Sequence, residues 1–111
     1  MAFVNLTPHE INVLGPDGAE VQTIPSSGQI ARITTSAAVL AIVEGVELFK
    51  TTYGDVVGLP SPAPGVIYIV SGAVAGHPSI MGRRDDVVSP GALVRGADGQ
   101  PRGCRGLSIP G

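Results

Sequence analysis

The chain has 111 residues, 43% of them hydrophobic and 14% charged, with no Trp and one Cys, the make-up of one small domain and too little for two. Its 16 glycines and 10 prolines are scattered between apolar runs without a G-X-Y period, which excludes collagen and low-complexity readings. A net charge of −2 excludes histone-like attraction to polyanions, and the single Cys104 excludes a disulfide framework or a Cys-based zinc cage within one chain.

Val and Ile number 14 and 9 against 7 Leu, and this β-branched excess predicts strands. Residues 3–6 form a first short strand, turned by Thr7-Pro8-His9-Glu10 into a second at 11–14. Gly15-Pro16-Asp17-Gly18 is a strong turn signal that joins it to 19–24 as a hairpin, and 25–28 turns the chain again. Residues 29–35 alternate as a strand, but polarity alone does not decide which face is buried. Residues 37–43 read as a helical turn or a strand. Glu44-Gly45 then breaks the run before the near-alternating 46–53, so a long hairpin is expected. The three prolines of 60–65 make a stiff loop. Residues 66–70 are a continuous apolar run of the kind buried on both faces, hence mid-sheet. Ser71 is placed to cap a short helix over 72–76. Loop follows over 77–82, then a short strand at 86–89 before Pro90-Gly91, and finally strands at 92–95 and 103–109 around the turn at 97–99. The expected fold class is mainly β, a small α+β domain: a compact antiparallel sheet or barrel-like domain with at most one short helix.

The longest apolar stretch, residues 37–43, is far short of the roughly 18–20 residues of a membrane span. No basic segment precedes an apolar one near Met1. A cytoplasmic protein without membrane contact is therefore expected. Residues 1–65 hold two cations against six acidic residues, net −4, and residues 66–111 hold five arginines against three aspartates, net +2. All five cations of the basic part are arginine, whose planar fork suits carboxylate or phosphate better than the point charge of lysine. Arg83 and Arg84 sit between Gly82 and the pair Asp85 and Asp86, where one guanidinium can meet an anion while an aspartate holds the other. Arg95, Arg102 and Arg105 fall on one expected hairpin.

Other chemistries have weaker signals. His9 and His77 lack the helical spacing of a zinc protease, and no metal site or cofactor is expected. Neither a P-loop nor a dinucleotide-binding glycine pattern is present. Polymeric nucleic acid is disfavoured because Phe3, Phe49, Tyr53 and Tyr68 are not interleaved with the arginines as a stacking platform would require. A thin core of Val, Ile, Leu and Ala favours association into a homo-oligomer.

The stretches NLTPHEI at 5–11, YGDVVGLP at 53–60, GVIYIVS at 65–71 and RDDV at 84–87, with the ending GCRGL at 103–107, resemble a family of small proteins encoded by phages and by actinobacterial and other bacterial genomes. The resemblance covers most of the chain and implies a phage or prophage origin, hence the cytoplasm of a bacterial host. It carries over no catalytic or binding residue. In size and expected assembly the chain also resembles phage sponge proteins that hold nucleotide signals of bacterial immunity. The leading expectation is accordingly an anti-defence homo-oligomer that sequesters a small anionic nucleotide, such as a cyclic ADP-ribose variant or a cyclic dinucleotide, without turning it over. Arg83, Arg84, Arg95 and Arg105 are its candidate phosphate ligands, and Asn5, Thr7, His9, Tyr68 and Ser71 its candidate polar or stacking contacts. Two rivals stand beside it: a phosphodiesterase-like enzyme using His9 or His77, and a structural or protein-interaction module of a phage.

Overall fold

A computed structural model describes residues 1–110. Eight strands and one short helix follow one another as β1 (Ala2–Asn5), β2 (Ile11–Leu14), β3 (Glu20–Ile24), β4 (Arg32–Val43), β5 (Val46–Val57), β6 (Val66–Ile69), α1 (Gly72–Ala75), β7 (Val87–Arg95) and β8 (Pro101–Ser108). Six strands form one sheet in the order β1-β6-β7-β8-β2-β3, and β4 and β5 pair only with each other. The mainly β, barrel-like expectation holds. The two edge strands of the sheet approach each other: the Asn5 amide at the end of β1 donates to the Ile24 carbonyl at the end of β3 at 3.0 Å, and the Ser27 N–H to the Asn5 carbonyl at 2.9 Å. The barrel is thereby nearly closed.

Pairing within the barrel is mixed. β2–β3 and β7–β8 are antiparallel, while β1–β6, β6–β7 and β2–β8 are parallel. β7 runs through Pro90-Gly91 rather than breaking there. The strand changes partner at this point, from β6 up to Val88 to β8 from Ser89 onward, so the missing N–H of Pro90 interrupts no ladder on the β6 side.

Period-two alternation gives the sheet two apolar faces. Ile11, Ile24, Ile69, Val88 and Cys104, one from each of five strands, form one cluster inside the barrel. Tyr68, Val70 and Val87 point the other way and pack with Leu6, Ala31, Ile80 and the helix residues Val74 and Ala75. Residues 66–70 are thus mid-sheet, as their unbroken apolar run requires, with Tyr68, Ile69 and Val70 all buried. Ser71 caps α1 by accepting from the Val74 N–H at 3.3 Å.

Arg84 clamps the loop beside this second cluster. Its guanidinium is bidentate on Asp86, with Nε to Oδ1 at 2.7 Å and Nη2 to Oδ2 at 2.8 Å, and Nη2 also donates to the Pro60 carbonyl at 3.1 Å. The two side chains are only 18% and 13% exposed. The hydrogen bond from Arg84 holds the Asp86 carboxyl below the usual carboxylate range, and the same bond raises the affinity of Arg84 for its proton. Among the described residues no helix is long and apolar enough to cross a membrane.

Candidate functional site

The polar residues singled out near the N-terminus are gathered by the fold, and they are occupied with one another. Asn5 is 1% exposed. Its amide nitrogen donates to the carbonyls of His9 at 2.8 Å and Ile24 at 3.0 Å, while its oxygen accepts from the Thr7 N–H at 2.9 Å and the Thr7 hydroxyl at 2.6 Å. An amide side chain offers two donors and two acceptor lone pairs, and all four are used: three fasten the turn at Thr7 and His9, and the bond to Ile24 joins β1 to β3. His9 beside them is exposed. Tyr68 is buried with its hydroxyl directed at the Ser61 carbonyl, 3.4 Å away, and Ser71 is the helix cap.

The arginines divide. Arg83 and Arg84 reach one cleft of about 410 Å³, together with Asp85, Ile109 and Pro110, but Arg84 is committed to Asp86 and Pro60. Arg95 donates to the Gly99 carbonyl of its own turn at 2.9 Å. Arg105 pairs with Ala92 across β7–β8, whereas Arg95 follows Leu93 by alternation onto the other face. Neither Arg95 nor Arg105 lines the cleft at Arg83.

His77 serves the architecture. A carbonyl only accepts, so the Nε2 that lies 2.9 Å from the Gly54 carbonyl carries the proton, and Nδ1 accepts from the Ser79 N–H at 3.1 Å and faces the Ser79 hydroxyl at 2.8 Å. Gly54 belongs to β5, so this ring ties the root of the long hairpin to the segment after α1.

That hairpin is the feature that sequence reasoning placed but did not recognise as a site. Glu44 and Gly45 have φ of 50° and 80°, the pair of positive angles of a tight turn whose twist matches the strands it joins. From this turn β4 and β5 run back for twelve residues each. At the root, Gly58 has φ of 82°, and a Cβ there would overlap the Ile30 carbonyl oxygen, so the chain re-enters the body at a position that only glycine fits without strain. The Thr34 hydroxyl meanwhile accepts from the Asp55 N–H at 3.0 Å, across a bulge. Ile33 and Val56 pack against the second core cluster. Beyond them burial by the body ends: apart from the His77 bond to the Gly54 carbonyl and the groove at Thr35 and Tyr53, the arm stands free, and from residue 34 to residue 55 every residue is exposed.

The exposed arm is not polar. Val39, Leu40, Ile42, Val43, Val46, Leu48, Phe49 and Tyr53 are each between 43% and 71% exposed. Directly opposed residues of an antiparallel pair share a face. On β4, Ile33, Thr35, Ala37 and Val39 alternate onto one face, with Val56, Tyr53, Thr51 and Phe49 opposite them. The other face begins polar, with Ser36 opposite Thr52 and Ala38 opposite Lys50, and turns apolar past the bulge at Leu40, where Ala41 meets Leu48 and Val43 meets Val46. At the root, the first face opens onto a groove of about 310 Å³ between Ile33, Thr35 and Tyr53 of the arm and Pro8, Ile30 and Val74 of the body. The signal was present in the sequence as the dense apolar run at 37–43, but local pattern cannot say whether such a run lies in a core or outside it.

Among the described residues no three His, Cys, Asp or Glu side chains gather as a metal-binding group. Comparison with known protein families, curated proteins and solved structures gives no match to this chain.

Proposed function

We propose that the chain is a structural, protein-interaction module: a small barrel that presents a β-hairpin arm for assembly. One observation carries the reading, the eight large apolar side chains on an arm that its own body leaves uncovered. An isolated two-stranded hairpin is marginal in water and needs a further layer on its apolar face. Monomers seldom leave contiguous apolar patches larger than about 300–600 Å², so the arm is a surface made to meet protein. With the phage or prophage origin that the sequence resemblance implies, the module is a part of a phage, working in the cytoplasm of its bacterial host.

Sequestration of a small anionic nucleotide has one supporting observation, the exposed Arg83 at the edge of its cleft. Most of its other candidate contacts are already spent: Asn5, Thr7, Tyr68, Ser71 and Arg84 all hold the fold. A phosphodiesterase reading through His77 has both ring nitrogens engaged in structural contacts. The two ligand readings forecast a rise in melting temperature with cyclic ADP-ribose or a cyclic dinucleotide that Arg83→Ala removes.

The assembly reading is tested by solution mass together with binding of a hydrophobic dye. An assembled protein, or a monomer that binds dye through its arm, supports it. A monomer that binds no dye overturns it, because the arm would then be folded back on its own body.

A further inference from the structure

We infer that the partner of the arm is a second copy of this chain, packed face to face on the Ala37/Thr51 face of β4–β5 about a two-fold axis. The inference rests on the assembly reading and goes beyond it by fixing the occupant and the geometry.

Three observations carry it. The first is area. Tyr53, Val39, Phe49 and Ile42 lie on this face at 51–71% exposure and amount to on the order of 500 Å² of surface, so two copies together bury about 1,000 Å², the lower bound for a specific interface. A second copy supplies the same patch, so this face of both arms is covered by one event.

The second is the order of sizes along the face. From root to tip it runs Thr35 with Tyr53, then Ala37 with Thr51, then Val39 with Phe49. Small residues in the middle let two such faces approach closely. A two-fold axis there is isologous, so each contact occurs twice: Phe49 and Val39 of each copy lie on Tyr53 and Thr35 of the other. Aromatic rings brought together in this way prefer offset or edge-to-face packing.

The third is continuity with the groove. At about 3.3 Å per strand residue, Ile42 of one arm, paired with Glu47 past the bulge at Leu40, and Ile33 of the other copy both lie roughly 13 Å beyond the axis. Ile42 therefore reaches the groove at the root of the neighbouring arm. Glu47, opposite Ile42, arrives there beside Arg32, the one cation lining that groove, so the charges are complementary as well.

Edge-to-edge pairing of the arms is the competing geometry, since both outer edges of the hairpin carry unpaired backbone groups. Variants with one added cysteine separate the two. Thr51→Cys lies on the proposed axis and cross-links to a covalent dimer with a short bis-maleimide, Thr52→Cys on the opposite face does not, and the wild-type chain, whose Cys104 is buried, serves as the control. Sedimentation equilibrium at tens of micromolar gives a dimer for the wild type. Phe49→Ser weakens dimerisation by about tenfold or more, as loss of a central aromatic anchor does, with the chemical unfolding of the barrel unchanged. A dimer that cross-links through Thr52→Cys rather than Thr51→Cys overturns the assigned face. A wild-type monomer that binds hydrophobic dye overturns self-pairing while leaving the assembly reading in place, and a monomer without dye binding removes both.

Discussion

In the barrel, the buried Asn5 uses all four of its hydrogen-bonding positions and the apolar side chains fill two clusters. In the arm, residues of the same kinds, Val, Ile, Leu and Thr, stand in water from residue 34 to residue 55. Composition does not distinguish the two regions; the number of layers does. Each barrel strand has a second layer to cover its inward side chains, whereas β4 and β5 have a covering layer only at Ile33 and Val56. The difference separates what the chain covers by itself from what it leaves uncovered. The barrel is closed by its own residues, whereas the arm stands exposed, and under the assembly proposal a partner completes it.

Substitutions on the two sides of this divide sharpen it. The largest effect belongs to the barrel seal. Asn5→Ala removes the side-chain partners of the Ile24 carbonyl and the Thr7 N–H, while the Thr7 hydroxyl keeps the His9 carbonyl at 3.0 Å, and at roughly 1–3 kcal/mol for each buried group left without a partner the loss is about 3 kcal/mol. Urea unfolding measures it, and a loss below about 1 kcal/mol would show that the barrel does not depend on this closure.

Next comes the Arg84–Asp86 clamp. Asp86→Asn removes a bidentate, charge-assisted pair and costs about 2 kcal/mol at neutral pH. The pH dependence has a definite sign. The Asp86 carboxyl binds its proton less readily in the folded chain, so on acidification the unfolded chain takes up more protons. The contribution of the pair is fully present above the unfolded value of about 3.9 and is lost as pH falls through the depressed folded value. Stability measured against pH therefore falls more steeply at the acid end in the wild type than in Asp86→Asn, and parallel curves would break the assignment.

The smallest effect on folding falls on the arm. Leu40→Ser removes an exposed apolar side chain and leaves the unfolding free energy of the barrel within about 0.5 kcal/mol, while dye binding or assembly declines. A large loss of barrel stability in this variant would erase the distinction between the two regions.

Much of this was legible locally. The turn at 15–18, with the Gly15 N–H on the Ala19 carbonyl at 2.9 Å, is announced by its proline and glycines. The Glu44-Gly45 turn, the Ser71 cap and the central apolar strand are likewise properties of short segments. The aspartate that orients an arginine was also within reach, since Asp86 lies two residues from Arg84. Three parallel pairings were not legible, because they join segments distant in the chain and no local residue preference encodes their register. The arginines were ambiguous for a related reason. Arg95 and Arg105 belong to one hairpin, but the face each takes depends on the register of β7 against β8, which includes a shift between Val94 and Arg95. The exposure of the arm was hidden because burial is a property of neighbours: Val39 and Phe49 carry the same pattern that Ile67 and Ile69 carry inside the sheet.

The alternation along β6 and β7 has a consequence for how the domain comes apart. Tyr68 and Val87 face one cluster while Ile69 and Val88 face the other, so the two apolar compartments share a common wall. Loosening that wall disturbs both clusters at once, so the barrel interior and the layer packed on its outer face are expected to unfold together. The hairpin is outside this bargain. It can fray from its tip towards Ile33 and Val56 as a separate, low-energy opening, which leaves the molecule free to adjust its reach without risking its centre.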